Sequence, residues 1–475
     1  MKYQSEYIKF ALPKGRFLSS TANLLKEIAL DFKGYSDKTR RYRLQSASFP
    51  YLSAKIFQER DIPIQVAIGN YDLGICGSDW IEELLVRYPT SALIKISSLN
   101  YGEGGIYVVA SYQTGITSID ELLAKKNDWR IVSEYPNLAQ SFALNFRMKA
   151  FKIFPVWGAA EVYPPEDASL AILWAKNENE IQARGLVPLM KLHPVTAFLI
   201  ANQESFESKD LNQMLNCFNS KLISKPQSLM QNISGTQRKF VISHPKLPAK
   251  EIKLALPDGH QQSLTAQFLK HTGLNLKGYS EESLNRRPSS DLDWLSIKVI
   301  RPQDMPLQVA NKNFDLAITG RDWLLEHLYR FPSSPVTELL DLSFGRVKIV
   351  AAVSKDMPVT SIDDLRSLVQ SGKLSPLRVA SEYINIADKY LRDNYIHPYK
   401  LIPTWGASEA FLPEDADLLI DNVQTGKTLA QHNLKITAVL FESTSCLIGN
   451  KENLSSSNKK EKFEFLIQIL RTGLS

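Results

Sequence analysis

The sequence predicts an α/β protein made of two tandem copies of one unit. Three observations carry that. Segments recur in the same order about 244 residues apart: Ala11-Leu-Pro-Lys-Gly-Arg16 returns as Ala255-Leu-Pro-Asp-Gly-His260, and Lys33-Gly-Tyr-Ser36 as Lys277 to Ser280. Asp72-Leu-Gly-Ile-Cys-Gly-Ser-Asp-Trp80 returns as Asp315 to Trp323, Ser133-Glu-Tyr135 as Ser381 to Tyr383, and Trp157-Gly-Ala159 as Trp405 to Ala407. A repeat of this length is a duplicated domain and not a solenoid. Within each copy, short apolar runs that stop at Pro-x-Gly are followed by helical patterns and then β-branched runs, the alternation of a mostly parallel sheet covered by helices.

In chain order, Tyr7–Leu12 and Glu251–Leu256 read as strands entering a turn, and Leu18–Leu30 and Ser263–Thr272 as the helices after them. Ile106–Ala110 and Val347–Val353 are β-branched strands; Trp129–Ser133 and Leu377–Ala380 resume the alternation. Leu211–Leu222 and Lys459–Leu470 are amphipathic closing helices. The partition is residues 1–223, a Pro- and Ser-bearing linker 224–248, and residues 249–475.

The 475 residues are 44% apolar and 22% charged, with Lys plus Arg exceeding Asp plus Glu by six. This excludes disordered and disulfide-scaffold classes. The small excess, without a dense basic block, argues against nucleic acid and suits an anionic small molecule. Cys76, Cys217 and Cys446 are odd in number and far apart, which fits a reducing cytoplasm. The N-terminus lacks an apolar signal core, and no run approaches the roughly 20 apolar residues of a membrane span; the expected location is cytoplasmic, with no membrane contact.

The most informative stretch is Asp417 to Leu429. A buried strand, Leu418–Ile420, delivers Asp421, and a polar loop follows with Gln424, Thr425, Gly426, Lys427 and Thr428. Gly426 lets consecutive N–H groups point one way, two hydroxyls and a lysine add donors, and a helix starting near Leu429 adds its positive end; such a loop fits a phosphate monoester. Asp421 is placed to accept from a sugar diol. A Walker A loop needs a glycine at position 421, so a nucleoside-triphosphate P-loop is excluded. Gly102-Glu-Gly-Gly105 lacks dinucleotide spacing and reads as a turn. In the first copy Leu173 replaces the aspartate and Asn177-Glu-Asn-Glu180 replaces Thr-Gly-Lys-Thr, which repels phosphate. Conversely the first copy has Lys14 and Arg16 where the second has Asp258 and His260. Each half has kept an anion-binding feature that the other has lost.

These residues resemble the short-form ATP phosphoribosyltransferase family, the first enzyme of histidine biosynthesis. The match is Glu409 followed by Asp421-Asn-Val-Gln-Thr-Gly-Lys-Thr-Leu429, with Ala11 to Arg16, Asp72 to Asp79 and Tyr135 to Asn137 in the family's order. The resemblance implies two catalytic units, each a pair of α/β lobes similar to type II periplasmic binding proteins. It implies transfer of phosphoribosyl from phosphoribosyl pyrophosphate to N1 of ATP, with Mg2+ on the departing pyrophosphate and no strong general base. It also implies that Thr425 to Thr428 hold the 5-phosphate and Asp421 the ribose, while Lys14 and Arg16 face the pyrophosphate. An arginine that crosses to a neighbouring site would be Arg40 or Arg41, with Arg286 or Arg287 in the second unit. Because the Lys-Gly-Arg turn and the phosphate loop lie in different halves, a departure from the family pattern, the expectation for this chain is a fused pseudo-dimer with one competent site centred on Thr425 to Thr428, assembled into an oligomer. The short family form further implies a histidyl-tRNA-synthetase-like regulatory partner.

The alternative is a noncatalytic paralogue that binds a phosphorylated metabolite or regulates a true transferase. A solute-binding protein of the same fold is opposed by the missing signal peptide. Trp157 and Trp405 recur in both copies and are expected in the core. Asp72, Asp79, Asp315 and Asp322 are expected as turn and cap residues. His193, His244, His327 and His432 show no metal-ligand spacing, and no metal ligand is expected from the chain.

Overall fold

A computed structural model describes residues 7–30, 32–36, 42–125, 128–222, 252–281, 283–454 and 459–474. The expected linker 224–248 and the candidate residues Arg40 and Arg41 lie outside the described residues.

Each repeat forms two large sheets, and the second adds a two-stranded ribbon, Leu276–Lys277 with Ser289–Ser290. In the first repeat one sheet runs Arg43–Gln45, Leu52–Gln58, Ile8–Lys14, Leu73–Gly77, Ala197–Asn202, Leu93–Ser98. The second repeat gives the same order without the first strand: Leu295–Ile300, Ile252–Pro257, Leu316–Gly320, Ser445–Asn450, Val336–Asp341. The other sheets run Leu186–Val195, Gly104–Ser111, Leu170–Ala175, Trp129–Ser133, Phe151–Pro155, and Leu434–Ser443, Val347–Ser354, Leu418–Val423, Leu377–Ser381, Tyr399–Pro403. The chain is thus α/β with a duplicated set of sheets.

The sheets are mixed, which corrects the mostly parallel expectation. Ile8 aligns with Leu52 and Ile252 with Leu295 in parallel pairs. Ala197–Asn202 and Ser445–Asn450 instead lie antiparallel to both neighbours. They come back from the other sheet of their repeat and enter the first sheet from its far end, so their direction is reversed. Val347–Ser354 is likewise antiparallel to both its neighbours, Leu418–Val423 and Leu434–Ser443.

The division into compact units does not follow the repeats throughout. One unit is Met1–Ile131, Tyr135–Ile153 and Ile172–Pro248; the other is Val132–Glu134, Phe154–Ala171 and Ala249–Ser475. The second unit therefore includes a stretch of first-repeat sequence. Within that unit Asp167, fully buried, takes the ammonium groups of Lys298 and Lys253, and Glu166 takes Arg287 at 2.8 Å. Arg287 also donates to the carbonyls of Val162 and Pro164.

The helices follow their apolar stripes. In the closing helix Lys460–Thr472, Phe463, Leu466 and Leu470 recur at helical spacing and are buried against Phe268 and Leu269, each such side chain contributing about 1.5–3 kcal/mol. In Asn212–Leu222, Phe218 packs edge-on against Phe10 at 6.3 Å. The first helix stops at Glu27, short of the expected Leu30, because Ala29 turns left-handed and Leu30 folds back into the core. The second-repeat helix begins at His260, earlier than expected, directly after Gly259 with φ +66°. Gly102 does lie in a turn, but Gly104 and Gly105 already belong to a strand.

Candidate active site

In the second unit the strand Leu418–Val423 buries Leu418, Leu419 and Ile420 and brings Asp421 to its half-buried end. The Asp421 carboxylate accepts from the N–H of Asn422 at 2.7 Å. Burial raises its pKa to about 7, and the nearby Glu409 carboxylate adds to the rise, while hydrogen bonds from Asn422 and Ser408 oppose it. Glu409 stands on the short turn Ser408–Phe411, entered through Ala407 in the left-handed region.

The loop beyond presents Gln424, Thr425, Lys427 and Thr428 exposed, around Gly426 at φ +73°. A side chain is strained in that conformation, so glycine permits the turn at little cost. The helix begins at Lys427 rather than near Leu429 and has only five residues, so its dipole adds little. The donors are the turn's N–H groups, two hydroxyls and one ammonium.

Asn422 ties this strand to a chain of acidic and aromatic side chains. Its amide donates to the Tyr383 hydroxyl at 2.8 Å, which donates to the buried Asp322 at 2.6 Å. Trp323 stacks on Tyr383 at 4.3 Å and meets Trp157 at 5.9 Å; Trp157 meets Trp405 at 6.3 Å. Trp157 and Trp405 are half-buried, which corrects the core placement expected of them. Trp157 N–H donates to both oxygens of the buried Asp304, and Arg301 lies against the adjacent Gly158. Arg301 and Arg286 both bind Asp258, at 3.4 and 2.7 Å. A continuous line of contacts thus runs from the loop strand to two arginines. Sequence reasoning named Arg286 for another role and missed Arg301, Tyr383 and Asn422; their signal was proximity in the fold, which no local motif encodes.

The first unit arranges the same positions differently. Asn177 accepts from the N–H of Glu180 at 3.0 Å, and the Glu180 carboxylate accepts from the N–H of Lys176 at 2.8 Å and binds Arg184. The loop is filled by its own carboxylate. Leu173 is buried, and the next residue, Trp174, lies 4.7 Å from the Arg16 guanidinium. Arg16 is also bound by Glu59 at 2.9 Å and by Asp79, and Phe17 lies against it at 4.5 Å. Burial raises Glu59 to about 7 despite Arg16, and Arg16 itself is driven upward by its two carboxylates. Lys14 donates to the Tyr42 hydroxyl at 3.1 Å. Tyr135 donates to Asp79 at 2.8 Å, the counterpart of Tyr383 and Asp322.

The shared aspartates hold structure. Asp72 accepts from Lys9 N–H and the Ser205 hydroxyl, and Asp315 accepts from Lys253 N–H and Lys459. Among the described residues no group of three or more His, Cys, Asp or Glu side chains is placed to hold a metal ion, and no helix is long and apolar enough to cross a membrane.

The family model of ATP phosphoribosyltransferase matches this chain twice, over residues 58–222 and 301–472. The chain belongs to the ATP phosphoribosyltransferase family. Both matched stretches begin at equivalent places in the two repeats and contain the loop positions just described. The ATP phosphoribosyltransferase of Chlorobaculum parvum is 32% identical over 229 residues, 47% of this chain and 72% of that protein. That of Chlorobium luteolum is 32% identical over 48% of this chain and 72% of its own length, and that of Pelotomaculum thermopropionicum 31% over 47% and 73%. Each ATP phosphoribosyltransferase aligns with about half of this doubled chain. Among solved structures, the ATP phosphoribosyl transferase (HisG:HisZ) complex from Thermotoga maritima is 21% identical over 47% of this chain and 98% of that one, with a TM-score of 0.38. At that score the likeness carries no structural conclusion.

Proposed function

We propose that the second unit is the catalytic centre of an ATP phosphoribosyltransferase, joining N1 of ATP to the anomeric carbon of phosphoribosyl pyrophosphate with release of pyrophosphate. The observation that carries this is the open loop Gln424–Thr428 behind Asp421, whereas the equivalent first-repeat loop is closed by Glu180. Thr425, Lys427, Thr428 and the turn's N–H groups would hold the 5-phosphate, and Asp421 would accept from the ribose hydroxyls. N1 is already a nucleophile, so orientation and stabilisation of the departing charge are what the protein supplies. Arg301 and Arg286 are the second unit's cations for the pyrophosphate. Lys14, Arg40 and Arg41 are proposed as the first unit's cationic contacts, while Arg16, already held by Glu59 and Asp79, is proposed to brace that unit.

Mg2+ is proposed to arrive on the pyrophosphate, whose charge it neutralises. The oxygen-only pair Asp421 and Glu409 fits a hard cation that brings phosphate and water ligands of its own. A histidyl-tRNA-synthetase-like regulatory subunit, a cytoplasmic location and an oligomer of pseudo-dimers belong to the same proposal.

The test is purified full chain with ATP, phosphoribosyl pyrophosphate and Mg2+, following phosphoribosyl-ATP by ultraviolet absorbance with pyrophosphatase present. Product that disappears in a Thr425→Ala, Thr428→Ala double variant supports the reading. No product, alone or with a candidate regulatory subunit, favours the second reading of a noncatalytic paralogue, which the charge-matched Arg16 and the filled first loop also suit.

A further inference from the structure

The first unit contains a cavity of about 470 Å³ away from the loop positions, within the size of small-molecule sites. It lies where the strands Leu93–Ser98 and Leu186–Val195 pass the start of the helix Ser78–Arg87. Comparison with the second repeat shows how it arises. There, the helix starts with Arg321, whose guanidinium forks onto Glu338 at 2.6 and 2.8 Å and reaches Asp341 at 3.0 Å. In the first repeat the three positions are Ser78, Lys95 and Ser98. The large cation is gone, leaving space, and the two acids are replaced by a lysine and a serine.

The opposite wall changes in the same sense. Lys191 and His193 stand where the second repeat has Val439 and Phe441. Lys191 makes no ion pair among the described residues; its ammonium lies 5.6 Å from the Tyr107 ring. His193 Nε2 is buried without a hydrogen-bond partner. Lys95 is paired with Glu82, and Glu103 is the one acid in the cavity wall. An unsatisfied buried donor or acceptor is costly unless a ligand or water completes it.

We propose that this cavity binds a compact multivalent anion, a phosphate or polycarboxylate group held by Lys191, Lys95 and His193, with Ser78 and Ser98 as hydroxyl donors. The site belongs to the repeat whose phosphate loop is filled, and it stands independently of the transferase reading.

The experiment is calorimetric titration of inorganic phosphate and of citrate into the full chain and three variants. Lys191→Ala removes the unpaired cation, Ser78→Leu fills the cavity without adding charge, and Lys427→Ala disables the other candidate anion loop. The expected result is saturable uptake that survives Lys427→Ala, weakens about tenfold or more in Lys191→Ala, and is lost in Ser78→Leu. Should Ser78→Leu fail to fold, His193→Phe, which copies the second repeat, takes its place. The proposal is overturned by absence of saturable uptake below about 10 mM, by unchanged binding in Lys191→Ala, or by loss confined to Lys427→Ala. Uptake of phosphate alone assigns the site to phosphate esters, and of citrate alone to carboxylates.

Discussion

Tyr383 holds Asp322 and Asn422 at once: its hydroxyl donates to the aspartate at 2.6 Å and accepts from the asparagine at 2.8 Å. Asn422 follows Asp421 in the strand, so the phenol fixes the end of the strand that delivers the candidate ribose contact. Tyr383→Phe leaves the buried Asp322 short of a donor and is expected to cost about 1–3 kcal/mol of stability in urea unfolding. It is also expected to raise KM for phosphoribosyl pyrophosphate. Tyr135→Phe removes the equivalent bond to Asp79 and should cost similar stability without moving that KM. Equal kinetic effects from both variants would deny the second unit its special role.

The loop prediction is a contrast between repeats. Lys427→Ala should lower kcat/KM for phosphoribosyl pyrophosphate by about tenfold or more, since a charge-assisted contact to phosphate is lost. Asn177→Ala in the first repeat removes an N-cap and should instead cost about 1 kcal/mol of stability, with kinetics unchanged. Steady-state kinetics and thermal unfolding of the two variants separate these outcomes.

Arg16 was legible in the sequence as a cation and illegible as a paired one. The Pro-Lys-Gly-Arg turn is local and could be read directly. Glu59 and Asp79, which neutralise Arg16, are distant in sequence, and a charge pattern does not reveal such partners. The same limit explains the mixed sheets: the alternation of strands and helices was visible, but the return of Ala197–Asn202 from the other sheet is a matter of topology. The phosphate loop was legible because glycine, hydroxyls and lysine act there through backbone geometry confined to a few residues. The cavity beside His193 was hidden because it consists of what Ser78 does not fill.

Arg16→Met should therefore act chiefly on stability. It leaves the carboxylates of Asp79 and Glu59, 0% and 8% exposed, without their cation. Stranding a buried charge in this way costs about 3–5 kcal/mol. A lower melting temperature with little change in substrate KM is expected; an unchanged melting temperature with a raised KM would restore Arg16 as a substrate contact.

Asp421 and Glu409 predict a pH dependence. Asp421 holds its proton to about pH 7 in the fold and releases it near 3.8 when unfolded. Its proton uptake thus favours the folded state at low pH, and that contribution is lost as pH rises from about 4 through 7. The ionised form is acceptor-only and binds two ribose hydroxyls more strongly than the acid does, so kcat/KM should climb through an acid limb near pH 7. Glu409→Gln removes the neighbouring charge and should shift the limb to lower pH. A pH–rate profile of both proteins checks this, with the limb assigned to the pair rather than to one carboxyl.

His327 predicts a slope of the opposite sign. It is 8% exposed within the helix Arg321–Arg330, its Nε2 lies 2.7 Å from the Ser334 hydroxyl, and burial, aided by Arg330, lowers its pKa from 6.5 to about 4. Between those values the unfolded chain binds a proton that the folded chain refuses, so stability is present above pH 6.5 and falls as the pH drops toward 4. The ceiling on that loss is about 3 kcal/mol. The first repeat has Leu84 at this place, which makes His327→Leu a substitution the fold already accommodates. The variant leaves the Ser334 hydroxyl without its ring partner and should be slightly less stable at pH 7. Carboxylates titrate over the same range, so the informative quantity is the difference between variant and parent. Urea midpoints at pH 7 and 4.5 should show that difference shift in favour of the variant at the lower pH; a difference that stays constant would mean His327 takes up its proton in the fold as readily as in the unfolded chain.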